Sequence, residues 1–207
     1  DARVPAVVAE LRLPDGSTWS GAKGNVEVGR RMPRATTSTP WVIGSLTKSF
    51  VAALALQLQD EGKLSLDDPI STWIDWKRDR RITLRMLLDH TSGVADYFWH
   101  PRYEELVFGR PTWHWTTDEI LALAADRKPP FYFQPGEGWF YSNTNYILAG
   151  RILEIVGGAP LAAQLRARFF DPLGLTSAVF QGDEPVPPGA ALGYLREDRT
   201  WKPIADG

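Results

Sequence analysis

The chain of 207 residues contains no cysteine and only three histidines. Without cysteine it has neither disulfide bonds nor metal sites built on thiolates. The histidines, His90, His100 and His114, do not show a metal-ligand spacing. Nor do they specify a Ser-His-Asp triad, which is recognised by a geometry that a sequence does not contain. The sequence therefore predicts no metal and no cofactor.

An excess of charge of one sign and long apolar runs are also missing. Lys and Arg number 23 and Asp and Glu number 25, so that the net charge is about −2. This balance gives no general attraction to nucleic acid or to an anionic membrane surface. No segment approaches the roughly 20 consecutive apolar residues of a membrane helix. We therefore predict neither a nucleic-acid partner nor a membrane span.

Strand patterns are short. After an apolar start, residues 7–13 alternate between polar and apolar side chains. Residues 14–17 form a turn signal, and residues 18–28 run back as a second strand. A two-stranded hairpin of this kind is marginally stable alone and needs further strands or a helix to cover it. Residues 139–143 are a second, strand-like aromatic run, and residues 193–195 are a third short strand.

Helical patterns dominate the middle of the chain. From Ser45 to Gly62 the apolar residues recur at helical spacing, and Gly62 is a natural stop. Thr83 and Thr116 are residues of the type that caps a helix N-terminus. Further helical patterns cover residues 84–90, 116–125, 144–156 and 161–170.

In the stretch VIGSLTKSF, residues 42–50, a serine precedes a lysine by three positions where the first helical pattern begins. Residues i and i+3 lie one above the other on a helix, so the side chains of Ser45 and Lys48 can meet. A serine hydroxyl becomes an effective nucleophile when a base takes its proton. The positive potential of the helix N-terminus favours the neutral amine of Lys48 and helps to stabilise an oxyanion formed at Ser45. Taken alone, the motif is better explained by Ser45 acting as a helix cap.

A second polar group, YSN at residues 141–143, precedes the helical pattern at residues 144–156. The phenol of Tyr141 is a second proton relay, and the carboxamide of Asn143 can donate and accept hydrogen bonds to a substrate amide. Taken alone, these residues are explained as an aromatic core residue beside a helix cap.

Taken together and in order, these segments resemble the penicillin-recognising serine enzymes, which include DD-peptidases, class C β-lactamases and related esterases and D-aminopeptidases. The resemblance rests on four stretches that cover nearly the whole chain: TKSF leading into LQLQDEGKLSLDDP, RITLRMLLDHTSGVADY, YSNTNYILAGRILEIVG and RFFDPLGLTSAVF. Within the family the likeness is closest to the secreted D-alanyl-D-alanine carboxypeptidase/transpeptidase of actinomycetes. A related Ser-x-x-Lys motif is catalytic in a neighbouring branch, where the identity of the base is disputed.

The resemblance implies a role for each residue of the two motifs. Ser45 is expected to be the acylated nucleophile, Lys48 its general base and Tyr141 the proton shuttle to the leaving group. Asn143 is expected to bind the substrate amide. The family's third motif, His-x-Gly or Lys-Thr-Gly on a strand, has no match, and we interpret His90 as a buried, hydrogen-bonded histidine in a turn beneath the site.

Aromatic residues cluster between positions 97 and 115. We predict that Trp99 and Trp113 bind substrate by lining the cleft, as Tyr97 and Trp115 also could. The alternative is ordinary packing within a helical subdomain.

The resemblance implies an α/β (α+β) fold of the β-lactamase/DD-peptidase type, in which helices flank an antiparallel sheet and an all-helical subdomain is added. Residues 1–66 are predicted to form the N-terminal part of the α/β domain, with the hairpin and the nucleophile helix. Residues 67–180 are predicted to be the mostly helical subdomain, and residues 181–207 a loop-rich return toward a C-terminal half.

In the family, strands that follow the helical region complete the sheet and carry the third motif. We therefore expect this chain to be the N-terminal piece of a longer or cleaved protein. If the precursor is cleaved, the partner of this chain is the C-terminal fragment of the same precursor, and the cleavage falls in a loop-rich stretch where it is tolerated. The chain alone is expected to be inactive.

The resemblance implies a serine hydrolase or acyltransferase that works through an acyl-enzyme. The expected substrate is a D-amino-acid-containing peptide or peptidoglycan fragment, and β-lactams are expected to be covalent inhibitors. The expected location is secreted, either extracellular or associated with a bacterial cell wall.

Several functions remain open on the same site: a β-lactamase, an esterase, a D-aminopeptidase or a peptide cyclase. They differ in whether water or an amine resolves the acyl-enzyme, which the catalytic residues do not reveal. A different class is a noncatalytic penicillin-binding or peptidoglycan-binding module. The presence of both Lys48 and Tyr141 favours an enzyme.

Overall fold

The computed structural model of the chain describes residues 4–29, 31–76, 79–103, 115–197 and 200–203. Trp113, which the sequence predicts to bind substrate, lies outside these ranges. The residues group into two compact units, one formed by residues 45–180 and the other by residues 1–44 with 181–207. The division into segments 1–66, 67–180 and 181–207 stays a prediction.

The smaller unit contains two antiparallel hairpins. Strand β1 (Ala6–Arg12) pairs with β2 (Thr18–Gly24), with Ala6 opposite Gly24 and Arg12 opposite Thr18. Between them the chain turns at Gly16, whose φ of 84° lies in the left-handed region that favours glycine. The first hairpin predicted from the sequence is confirmed, with a second strand shorter than expected.

The second hairpin joins β3 (Tyr194–Glu197) to β4 (Thr200–Pro203). The sequence predicted a strand at residues 193–195 but placed residues 200–203 in a loop-rich segment. That expectation is wrong for residues 200–203, which form β4 and pair with β3, with Thr200 opposite Glu197. The two hairpins form separate two-stranded sheets among the described residues.

The larger unit is built on two long helices whose apolar faces are buried. Helix α1 (Thr47–Asp60) buries Val51, Leu54, Ala55 and Leu58, which recur at the spacing of one helix face. It ends before Gly62, whose φ is 69°.

Shorter helices complete the larger unit. Thr83 caps α2 (Leu84–Leu88) by accepting a hydrogen bond from the backbone N–H of Met86. Thr116 and Glu119 form a reciprocal capping box at α3 (Thr117–Asp126).

The second long helix, α4 (Asn143–Gly157), ends in the left-handed residue Gly158. The short helix α5 (Leu161–Leu165) follows it and continues as a wider turn over Arg166–Phe170. In the part of the chain that the structure describes, no single helix is long and apolar enough to cross a membrane, although α4 and the segment Leu161–Phe170 satisfy that measure as a pair bent by 73°.

A common hydrophobic core joins these helices. Leu54 and Leu58 of α1 lie in one cluster with Leu148 and Ile152 of α4, and all four are fully buried. Burying a leucine or isoleucine side chain contributes about 1.5–3 kcal/mol. The core therefore packs the two long helices against each other, and the residues of the predicted site lie at or just before their starts.

The strand-like interpretation of residues 139–143 is wrong. This run lies alongside the turn at His90, where the Phe140 N–H donates to the His90 carbonyl at 3.2 Å. The backbone of Ser142 is extended, with φ −141° and ψ 122°. The aromatic composition typical of a strand therefore belongs to an extended loop that leads into α4 and pairs with no strand of the described chain.

Candidate active site

Ser45 lies in a single 3-10 turn, Gly44–Leu46, that leads directly into α1. Lys48 is on the first turn of α1, and its Nζ donates a hydrogen bond to Ser45 Oγ at 3.1 Å. Ser45 is exposed and Lys48 is half-buried. The serine can therefore meet a substrate while the lysine reaches it from the protein side.

Tyr141 approaches Ser45 from the loop that precedes α4. Its hydroxyl donates a hydrogen bond to Ser45 Oγ at 2.7 Å. The Lys48 ammonium nitrogen lies 5.0 Å from the centre of the Tyr141 ring and 5.4 Å from that of Tyr146, so both aromatic faces meet the cation. The side chains that the sequence predicted as nucleophile, base and proton shuttle thus converge on one oxygen.

The electrostatics of Tyr141 favour loss of its proton. Partial burial raises the pKa of Tyr141. Hydrogen bonds with Lys48 and Ser45 and the positive charge of Lys48 act in the opposite direction and outweigh burial, so the pKa of Tyr141 lies below its ordinary value of 10.0. A phenol with a lowered pKa is a better proton carrier near neutral pH.

Asn143 begins α4, and its carboxamide connects two charged groups. Its Oδ1 accepts a hydrogen bond from Lys48 Nζ at 2.9 Å, and its Nδ2 donates to Asp96 Oδ2 at 2.8 Å. Sequence reasoning predicted Asn143 but missed Asp96. Asp96 is 2% exposed, and the only sequence signal for it was an aspartate at the position that caps the short 3-10 turn Tyr97–Trp99.

His90 supports the site from below. It is 8% exposed, and its Nδ1 accepts a hydrogen bond from the Ser142 backbone N–H at 3.2 Å. Burial and, to a smaller extent, the nearby charge of Lys48 lower the pKa of His90. The expectation of a buried, hydrogen-bonded histidine is confirmed.

Of the two aromatic residues predicted to bind substrate, the structure describes only Trp99. Trp99 is 64% exposed at the end of its 3-10 turn, with its ring 5.9 Å from that of Phe98. Trp113 lies outside the described residues. Burial raises the pKa of Tyr97, which lies within the packed part of this segment. The substrate-binding roles of Trp99 and Trp113 therefore stay predictions.

The arrangement around Ser45 suits acyl transfer through a covalent serine intermediate. Two side chains that can exchange protons lie on the serine oxygen, and the start of a 14-residue helix directs its positive end toward that oxygen. Within the described residues, His, Asp and Glu side chains form no group of three that could hold a metal ion.

Comparison with known proteins identifies the family and the fold. The model of the Beta-lactamase family matches residues 6–207. A relative from Escherichia coli O157:H7, provisionally named D-alanyl-D-alanine carboxypeptidase, is 34% identical over 188 residues, which cover 84% of this chain and 42% of the relative. Esterase EstB from Burkholderia gladioli is 33% identical over 173 residues, which cover 77% of this chain and 42% of the esterase. The crystal structure of a D-stereospecific amidohydrolase from Streptomyces sp. matches with a TM-score of 0.84 and 32% identity, over 98% of this chain and 60% of that chain.

These matches place the chain in the serine hydrolase superfamily with the fold shared by β-lactamases and penicillin-binding proteins, and they confirm the predicted fold class. The chain belongs to the Beta-lactamase family. It spans 42% of the length of each of the two curated relatives.

Proposed function

We propose that this chain carries the acylation site of a serine hydrolase or acyltransferase that acts on D-amino-acid-containing peptides, in the manner of a D-alanyl-D-alanine carboxypeptidase/transpeptidase. One observation carries the proposal. Ser45 Oγ lies 3.1 Å from Lys48 Nζ and 2.7 Å from the Tyr141 hydroxyl. A solvent-exposed serine needs no such pair of proton-exchanging neighbours for folding alone.

In the proposed reaction, Ser45 Oγ attacks the carbonyl carbon of the penultimate D-residue. Its proton passes to the neutral amine of Lys48, and the carbonyl oxygen becomes an oxyanion near the start of α1. When the tetrahedral intermediate collapses, the C–N bond breaks and the leaving amine receives a proton through Tyr141. Water or an amine then attacks the ester and restores the serine hydroxyl.

Asn143 supports an amide-bearing substrate. Each carboxamide nitrogen has two N–H groups, and one of those of Asn143 is engaged by Asp96. The other is available to donate to a substrate carbonyl. The names of a carboxypeptidase and a D-stereospecific amidohydrolase among the similar proteins support a D-amino-acid substrate.

A second candidate is an esterase, which the 33% identity to Esterase EstB favours. An ester and an amide are opened by the same acylation step, so the two functions share Ser45, Lys48 and Tyr141. A β-lactamase, a D-aminopeptidase or a peptide cyclase would also use this step and would differ in how the acyl-enzyme is resolved.

The location and the partner belong to the same proposal. Peptidoglycan peptides lie outside the bacterial membrane, so we place the protein in the secreted or cell-wall fraction, with a C-terminal fragment of its precursor as its noncovalent partner. Immunoblotting of culture medium, wall and cytoplasmic fractions tests the location, and recovery from the cytoplasm alone would refute it.

The proposed function is tested by intact-mass spectrometry of the native protein before and after incubation with benzylpenicillin. We expect a penicilloyl adduct on the chain that contains Ser45, and a separate C-terminal chain in the same preparation. Ser45→Ala should abolish the adduct. Ser49→Ala, which changes an exposed serine one turn along α1, should leave it unchanged.

Other results have definite meanings. An adduct that persists in Ser45→Ala would remove Ser45 from its role. A single uncut species of greater length would refute the cleavage proposal and leave the acylation site intact. If β-lactams and D-amino-acid esters both leave Ser45 unmodified, the site is that of a noncatalytic module.

A further inference from the structure

We infer that Asp96 is a positioning residue that fixes the carboxamide of Asn143 and thereby favours substrates with an amide carbonyl beside the scissile bond. The inference rests on the proposed function, since its effect is measured through acylation of Ser45. Asp96 Oδ2 accepts a hydrogen bond from Asn143 Nδ2 at 2.8 Å, and Asp96 Oδ1 accepts one from the Phe98 N–H at 3.1 Å. Both oxygens of the carboxylate are therefore used as acceptors.

The two neighbours of Asn143 permit only one orientation of its carboxamide. Lys48 meets Asn143 with an N–H whether it is an ammonium or an amine whose lone pair faces Ser45, and an ionised Asp96 can only accept hydrogen bonds. The observed orientation places Oδ1 at Lys48 and Nδ2 at Asp96. Rotating the amide by half a turn would set two donors against each other at Lys48 and two acceptors against each other at Asp96.

The backbone around Asp96 is held independently of its side chain. The Asp96 N–H donates to the Tyr132 hydroxyl at 3.1 Å, and the Tyr97 N–H donates to Thr144 Oγ1 at 2.9 Å. Thr144 Oγ1 in turn donates to the Ala95 carbonyl at 2.9 Å. Because Thr144 follows Asn143 in α4, these bonds attach the segment that carries Asp96 to the helix that carries Asn143.

A buried carboxylate is costly to maintain unless its hydrogen bonds are satisfied. Asp96 is 2% exposed, and packing of the hydrophobic core does not require a charged side chain there. Capping the three-residue turn at Tyr97–Trp99 requires one acceptor only, which serine or asparagine would supply as well. The second acceptor is what distinguishes aspartate at this position, and that acceptor meets Asn143.

The consequence concerns the second N–H of Asn143. With Oδ1 at Lys48 and one N–H at Asp96, the side chain presents a donor, and not an acceptor, to a bound substrate. A donor recognises a carbonyl oxygen, such as that of an acylamino group on the D-residue. Asp96 thus keeps Asn143 in the orientation that accepts from Lys48 and donates to the substrate, although Asp96 does not itself touch the substrate.

The test uses Asp96→Ser in the native protein that contains this chain. Serine retains a cap for the Phe98 N–H but is too short to reach Asn143. Two esters are compared: the p-nitrophenyl ester of N-acetyl-D-alanine and p-nitrophenyl propionate, which has the same acyl chain without the acetamido group. The ratio of their kcat/KM values does not depend on the fraction of folded enzyme, so a purely structural role leaves it unchanged.

We expect Asp96→Ser to lower this ratio about tenfold, mainly through a higher KM for the N-acetyl-D-alanine ester. Asp96→Asn, which keeps the size of the side chain, should lower it in the same direction, because one of its two ends now offers a donor where an acceptor is needed. If one of the two substitutions prevents folding, the other variant serves for the test. Asp68→Asn is the matched control, since Asp68 accepts a hydrogen bond from the Ser65 N–H in a turn away from Asn143.

A double-mutant cycle completes the test. In an Asn143→Ala background, Asp96→Ser should change the ratio by less than about twofold, because the contact through which it acts is already gone. An unchanged ratio in Asp96→Ser, or effects of the two substitutions that multiply, would overturn the positioning role while Ser45 acylation still upholds the proposed function. A native protein whose Ser45 reacts with neither ester would overturn both.

Discussion

The imidazole ring of His90 packs against the phenol ring of Tyr141, with the ring centres 4.5 Å apart and the planes 33° from parallel. His90 Nδ1 also accepts the Ser142 N–H, so one histidine contacts both the ring of Tyr141 and the backbone that follows it. A protonated imidazole has a donor on each nitrogen and would set Nδ1–H against the Ser142 N–H. The position of Tyr141 therefore depends on a neutral His90.

His90 makes the stability of the larger unit depend on pH. Burial and the charge of Lys48 lower its pKa in the folded protein below the ordinary value of 6.5, against smaller raising effects of Asp89 and Asp96. The unfolded chain therefore binds a proton at a pH where the folded protein does not, and stability falls with falling pH. The loss begins near the unfolded pKa and is complete once the pH is below the folded one. We expect the urea concentration at the midpoint of unfolding to decrease as the pH is lowered from about 7 to about 5.

His90→Asn is the variant that isolates this effect. Asparagine tolerates the φ of 65° at this position, and its Oδ1 can replace Nδ1 as the acceptor for Ser142, but it does not titrate. Its urea midpoint should change less than that of the native sequence over the same pH interval. An equal change in both proteins would assign the pH dependence to other groups.

Lys48 and Tyr141 should be separable by the pH dependence of acylation. Because the pKa of Tyr141 is lowered by its contacts with Lys48 and Ser45 and by the charge of Lys48, its ionised fraction rises with pH below the ordinary range of a phenol. Lys48→Ala removes the cation, so any increase of rate that depends on ionised Tyr141 should move to higher pH. At neutral pH, Lys48→Ala should slow formation of the penicilloyl adduct by about 10²–10⁴-fold, the usual contribution of a general base.

The measurement is the rate of adduct formation against pH in Lys48→Ala, Tyr141→Phe and the native protein. Tyr141→Phe should lose the rise of the rate at alkaline pH. Lys63→Ala is the control, because Lys63 is an exposed lysine bound to Glu61. Near-normal acylation in Lys48→Ala would assign the base role to Tyr141 alone.

Much of the catalytic group was predictable because its spacing is local. Ser45 and Lys48 are three positions apart on one helix start, and helix periodicity alone brings them together. Tyr141 and Asn143 lie 96 and 95 residues away from their partners Ser45 and Lys48. Only the resemblance to a family placed them at the same site.

The residues that sequence reasoning missed have no periodic or motif signal. Asp96 is a single aspartate in an irregular segment, and its importance arises from burial and from a contact with Asn143, 47 residues away. Strand β4 is four residues long and ends in proline, which depresses any strand prediction. The run at residues 139–143 has strand-like composition, but its neighbour is a turn and not a strand, and local sequence does not specify the neighbour.

Removing side-chain volume from helix α1 should lower stability where the side chain is buried and have little effect where it is exposed. Leu54 is fully buried on α1, whereas Leu56 on the same helix is 50% exposed. We expect Leu54→Ala to lower the free energy of unfolding by about 2–5 kcal/mol, the range found for such substitutions in cores. Leu56→Ala, the matched control, should change it by less than about 0.5 kcal/mol. Urea unfolding measures both, and a similar loss in the two variants would contradict the described packing of α1.

Gly93 lies against residues 131–133, where its carbonyl accepts the Tyr132 N–H at 2.8 Å, and its surroundings leave no room for a side chain. Its φ is 73°, and an added Cβ would lie 2.1 Å from the Phe133 carbonyl oxygen. Gly174 provides a matched comparison, since its φ is 67° but an added Cβ would meet no atom within 4 Å. Both alanine substitutions place a side chain in the left-handed region at a cost of about 1–2 kcal/mol, and only Gly93→Ala adds a clash with backbone. We expect urea unfolding to show Gly93→Ala less stable than Gly174→Ala by about 1–3 kcal/mol, the cost of forcing extra volume into a packed site. Of the two variants, only Gly93→Ala should also acylate Ser45 more slowly, because moving residues 92–96 displaces the carboxylate that holds Asn143. Equal stability of the two variants would show that the close approach at Gly93 is relieved without cost.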